Sequence, residues 1–84
     1  MGLNSRLAVL EHAWESEIGS LSRMAKVAAI DNAALVVEVE SSTAMQELSL
    51  RRRELLRRLN RHFAHPFLKD ISLRIASHGV PRGG

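Results

Sequence analysis

The stretch Leu35-Val36-Val37-Glu38-Val39-Glu40-Ser41-Ser42-Thr43-Ala44-Met45-Gln46-Glu47-Leu48, running on through Leu50-Arg51-Arg52-Arg53-Glu54-Leu55-Leu56-Arg57-Arg58-Leu59-Asn60-Arg61, changes its period in the middle. Its first part is β-branched and ends in alternation. Val37 and Val39 point one way, and Glu38 and Glu40 the other, as in a strand with one buried face. Its second part repeats at the helical period, with Met45, Leu48, Leu55, Leu56, Leu59 and Phe63 on one face at 100° per residue. Thr43 with Gln46 three positions on fits a capping box, and Ser42 is an alternative cap. The helix is expected over about 43–61, and it must stop before Pro66. Arg52 falls inside the apolar arc, so it must reach the edge or meet an acid.

Upstream, Asn4 or Ser5 can cap a first helix and Gly19 can end it. Leu3, Leu7, Leu10, Trp14 and Ile18 share its apolar face, and Glu11, Glu15 and Glu17 lie off that face. The run from Arg23 to Ile30 is a weaker strand because Ala25, Ala28 and Ala29 are poor strand formers. Asp31-Asn32 reads as the two-residue turn of a hairpin. Downstream, Phe67 to Asp70 reads as a loop. Ile71-Ser72-Leu73-Arg74-Ile75 alternates cleanly and forms a third strand.

The order is helix, strand, strand, helix, strand. Each element has one apolar face, so the expected fold class is α+β: a two-layer α-β-β-α-β arrangement with a three-stranded sheet and two helices on one face. The 84 residues make one domain, 1–84, with an ordered core at about 5–76 and a loose tail at 77–84. Val80-Pro81-Arg82-Gly83 resembles part of a protease-cleavable tag and Met1-Gly2 a cloning start, so neither end carries functional weight.

Charge is unevenly distributed. Residues 1–50 hold three basic against seven acidic side chains, net −4, and residues 51–84 hold nine against two, net +7. Six arginines fall between positions 51 and 61. Such a split points to a polyanion or an acidic surface as partner. Glu47 and Glu54 precede Arg51 and Arg58 by four, the favourable order for helical ion pairs, and give those two arginines a structural role. Arg53, Arg57 and Arg61 also step by four, but none has an acid four positions before it. They form a candidate phosphate-tracking edge, which Lys69 and Arg74 would extend. Leu50 points away from the core face among these charges and, with Arg51, is a candidate protein contact.

No catalytic residues are expected, because no acid–base pair or nucleophile set converges. No metal is expected: there is no cysteine, and His62 and His65 have no third ligand nearby. No glycine-rich phosphate loop is present, so no cofactor or small-molecule substrate is expected. Without an apolar run of roughly 20 residues or a secretory start, no membrane association is expected and the chain reads as cytoplasmic.

Several of these segments together resemble the DciA family. They are Trp14 with Ile18-Gly19, the strand Leu35-Val36-Val37-Glu38-Val39, the run Ser41-Ser42-Thr43-Ala44-Met45-Gln46-Glu47-Leu48, Leu55-Leu56 with Leu59-Asn60, and Asp70-Ile71-Ser72-Leu73-Arg74-Ile75. The resemblance covers roughly residues 10–76. Met45 stands where the family pattern has an aromatic, and Asp31-Asn32 stands where it has a glycine-containing turn. The resemblance implies a bacterial DNA-replication protein that loads or operates the replicative helicase. It implies a KH-like fold without a G-x-x-G loop, binding to the hexameric helicase and to single-stranded or duplex DNA, and no enzyme activity. Two alternatives stand beside it: a KH-like RNA-binding module of the ribosome-maturation type, which shares the opening helix and hairpin, and a pure protein-interaction domain whose arginines face an acidic partner.

Overall fold

The structure, a computed structural model, describes residues 5–76. The readings placed on Met1-Gly2, Leu3, Asn4 and the tail at 77–84 lie outside them. Helix α1 (Ser5–Ile18) leads through a 3-10 turn (Gly19–Arg23) into strand β1 (Ala25–Asp31). Strand β2 (Ala34–Val39) follows, then helices α2 (Ser42–Leu50) and α3 (Arg52–Asn60), and last β3 (Asp70–Ile75). The sheet order is β1-β2-β3, with β1 antiparallel and β3 parallel to the central β2. This is the α+β class expected, with its helices gathered on one face of a three-stranded sheet.

Burial explains the single helical layer. Leu35, Val37 and Val39 on β2 are fully buried and lie level with Ile30, Val27 and Ala25 on β1. Across the parallel ladder they lie level with Ile71, Leu73 and Ile75 on β3. Leu10, Ala13, Trp14 and Ile18 of α1, Ala44 and Leu48 of α2, and Leu55 and Leu59 of α3 close over this face. The other face has Ala29, Val36 and Ser72 as its middle row, with Val36 itself 8% exposed, and Lys26, Glu38 and Arg74 as the next row. The Trp14 indole N–H donates to the Ala25 carbonyl at 3.0 Å, which satisfies the one polar atom of a ring that is only 1% exposed. Gly19, at φ +64°, supplies the left-handed residue that ends α1.

Three local readings are corrected, and the weak first strand forms with an irregularity. The hairpin turn sits one residue later than expected, on Asn32 and Ala33, with φ of 55° and 68°. Asp31 instead pairs with Ala34 inside the ladder. A β-bulge between Val27 and Ala29 leaves Ala28 unpaired and shifts the strand's alternation, which is why the β1 pattern read poorly. The cap of α2 is Ser41 rather than Thr43 or Ser42: Ser41 is extended, and its hydroxyl accepts the Ala44 N–H at 3.0 Å. The expected single helix over 43–61 is two. Arg51 adopts φ −100°, ψ 6°, and its N–H is shared between the Glu47 and Leu48 carbonyls at 3.3 and 3.1 Å, a tightened turn. No glycine or proline marks that break.

Residues 61–69 carry the chain from α3 to β3, and one side chain fixes them. Asn60 Oδ1 accepts the N–H groups of Phe67 and Leu68 at 3.2 and 3.1 Å, and its Nδ2 donates to the Leu68 carbonyl at 3.0 Å. These bonds set Leu68 into the core, 5% exposed. Phe63 and Phe67 meet edge-to-face at 5.0 Å, and the Arg6 guanidinium lies 4.5 Å from the Phe67 ring centre.

Two stability changes follow. Ala33 holds a left-handed conformation that disfavours a Cβ, so Ala33→Gly should raise unfolding free energy by about 1 kcal/mol in urea titrations. Asn60→Ala strands two backbone N–H groups and a carbonyl. It should lower unfolding free energy by about 2–3 kcal/mol, and Asn60→Asp, which keeps the acceptor, should lower it less.

Candidate nucleic-acid interface

The charged side of α3 divides into partnered and unpartnered cations. Arg58 is held by Glu54 one turn earlier, at 2.9 Å from its Nη2 and 3.2 Å from its Nε, and by Glu17 of α1 at 3.5 Å. Glu17 also faces His62 Nε2 at 3.3 Å. A carboxylate expected on the open side of α1 is therefore the bridge between α1 and the end of α3. The hydrogen bond and charge of Arg58 hold the Glu54 carboxyl below its ordinary range, and Glu54 in turn raises Arg58. A depressed carboxylate contributes above its unfolded pKa, and its contribution fades as pH falls through the folded value. Both side chains are exposed, so this pair orients charge more than it stabilises the fold.

Arg52 lies 3.8 Å from Asp70, the acid its place in the apolar arc required. The anticipated Glu47–Arg51 pair does not form among the described ion pairs. Arg51 is the C-cap of α2, at the break, and not a residue inside one continuous helix, where that spacing rule applies.

Arg53, Arg57 and Arg61 are exposed, and none has a carboxylate within 4 Å among the described residues. Arg53 and Arg57 lie on α3, and Arg61 continues its helical backbone as the C-cap residue, at φ −68° and ψ −17°. At a rise of roughly 1.5 Å per residue, successive members stand about 6 Å apart along the axis. Lys69 is exposed and lines the same groove as Arg53, together with Ser49, Leu50, Arg52, Leu56 and Asp70. Its backbone N–H is tied to the Ala33 carbonyl at 2.8 Å, which fixes where the lysine starts. Arg74 does not join this row. It projects from the helix-free face of the sheet and lies 3.4 Å from Glu38 on the neighbouring strand. Alternation along β3 already put it opposite Leu73, and that signal outweighs its nearness to Lys69 in sequence.

Leu50, the last residue of α2, is 82% exposed. With Arg51, Glu47, Gln46 and Thr43 it lines a shallow apolar groove of about 320 Å³. Among the described residues no three His, Cys, Asp or Glu side chains cluster as a metal site would need. No helix there is long and apolar enough to cross a membrane.

The sequence matches a known family. A family model described as Dna[CI] antecedent, DciA, aligns with residues 2–73. No curated protein matches the chain. The matched span takes in α1, the hairpin, α2, the arginine-bearing α3 and most of β3. The chain belongs to the DciA family, a family of loaders and adaptors related to replicative-helicase loading rather than of enzymes.

Proposed function

We propose that this domain is a non-enzymatic DNA-replication adaptor that binds the replicative helicase and contacts DNA through Arg53, Arg57 and Arg61, with Lys69 beside Arg53. The observation that carries the DNA half is the contrast within one helix. Arg58 is held by two carboxylates, while the three arginines stepping by four have none among the described residues. An exposed cation row without counter-charges binds polyanions through counterion release and reads no sequence. Arg74, paired on the other face, stands outside this site.

The helicase half rests on family membership, and the surface that best fits a protein contact is Leu50 with Arg51. A leucine 82% in water beside a helix break offers an apolar anchor ringed by polar groups. Against the RNA-module alternative stands the absence of a G-x-x-G sequence anywhere in the chain.

Titration of labelled single-stranded DNA at several salt concentrations tests the first half. Three to four phosphate contacts give a log–log slope of about −2 to −3. The Arg53→Ala, Arg57→Ala, Arg61→Ala triple variant should flatten that slope to about −0.7 or less, and a triple variant that binds normally removes the site. Co-elution with purified replicative helicase tests the second half. Leu50→Ala, which adds no charge beside Arg53 and Lys69, should weaken retention about tenfold and leave DNA affinity unchanged, and equal retention of both proteins excludes Leu50 as the anchor.

A further inference from the structure

Beyond the row of cations, the far end of α3 carries a groove of different character. Arg57, Asn60, Arg61, Phe63, Ala64 and Pro66 line it, with a volume of about 370 Å³. Its walls divide by chemistry. Arg57 and Arg61 are exposed guanidiniums one helical turn apart, without a carboxylate within 4 Å among the described residues. Phe63, Ala64 and Pro66 supply an apolar, aromatic side. Phe63 is half-buried, and its ring is held edge-to-face at 5.0 Å by Phe67. Phe67 is anchored in turn through its N–H to Asn60.

We infer that this groove takes one unstacked base of a single-stranded nucleic acid against Phe63, with the flanking phosphates on Arg57 and Arg61. The inference rests on the nucleic-acid reading of the arginine row and gives that row a strand preference. A single strand alternates phosphates with flat apolar rings at short intervals. The groove offers paired cations and an aromatic side within one helical turn, the same alternation. A base inside a duplex is stacked and paired, so it cannot reach the ring without being extruded. Base identity counts for little in the groove. The one amide in its wall, Asn60, is turned to the backbone of Phe67 and Leu68, which engages its Oδ1 twice and one of its two Nδ2 hydrogens. Stacking without edge readout tolerates any base.

Fluorescence anisotropy with the full chain tests this, using labelled oligothymidylate and a strand of equal length whose sugars carry no bases. The unmodified protein should bind the abasic strand about tenfold more weakly, the loss expected for one stacked base. Phe63→Leu should bind oligothymidylate about tenfold more weakly, lose nothing further on the abasic strand, and keep the salt slope. Melting followed by Trp14 fluorescence checks that the variant is folded. If the unmodified protein binds both strands equally, or Phe63→Leu binds oligothymidylate normally, the base slot is overturned while the phosphate row stands. If the unmodified protein binds neither strand at low salt, the row itself falls, and the slot with it.

Discussion

The outward placement of the α3 arginines follows from the face of β2 that the helices cover, since Val36 is the one buried side chain on the other face of that strand. Leu35, Val37 and Val39 have no exposed surface, and Glu38 between them is in water. Full burial of each such side chain is worth about 1.5–3 kcal/mol, so the three together outweigh any single ion pair on the surface. Only one face of the sheet can therefore accept helices. Because β2 and β3 are parallel, the chain must cross that same face between them, and α2 and α3 are the crossing. An amphipathic helix that buries Leu55 and Leu59 on the sheet has to hold its arginines outward. The arginine row is a geometrical consequence of a parallel crossover in a sheet with one apolar face.

Much of this was legible because strong patterns agree across levels. The apolar spacing of α1 with Trp14 and Gly19, the alternation at the end of β2 and throughout β3, and the apolar arc of the second helical stretch all read directly from periodicity. What did not read has a common physical cause: it depended on atoms far away in sequence or on a single backbone angle. The bulge at Ala28 removes the alternation that identifies a strand. The turn falls on Asn32 and Ala33 because the register with Ala34 is set by Leu35 and Ile30 in the core, which overrides the poor fit of alanine to a left-handed backbone. The break at Arg51 has no composition signal at all. Glu17 reads as a solvated helix residue until α3 is packed against α1 and brings Arg58 and His62 to it.

Asn60 shows the other side of the same limit. The sequence offered Leu59-Asn60 only as part of a family resemblance, with no reason for the asparagine. The structure supplies one. An amide has both a donor and an acceptor at its tip, and here both are used to bind the returning chain at Phe67 and Leu68. Aspartate or serine offers only part of that set. The Lys69 N–H bond to Ala33 and the Ala76 N–H bond to Val39 then close the two ends of the parallel ladder, so the crossover is fastened where it leaves α3 and where β3 ends.

Surface ion pairs add little stability, but they decide which cations remain free. Glu54 and Glu17 both turn to Arg58, Asp70 to Arg52, and Glu38 to Arg74. Among the described residues the acids thus neutralise the arginines nearest to α1, to the sheet edge and to the open face, and Arg53, Arg57 and Arg61 are left along the remaining edge, with Arg51 at the break before them. A row of three cations spans about 12 Å, roughly 1.5 Å for each of eight residue steps. Contacts over so short a length support only weak, strongly salt-dependent attachment to a nucleic acid. Such a grip becomes effective when a second, protein-borne contact holds the domain near the strand, because tethering raises the local concentration of the site without any new phosphate contact. Leu50 stands at the opposite end of α3 from the Phe63 groove, at the break that α3 follows, so a partner seated there leaves Arg57, Arg61 and the groove open to a strand. Arg53 and Lys69 line a groove with Leu50, so the near end of the row borders the partner and its far end is the part left clear for a strand.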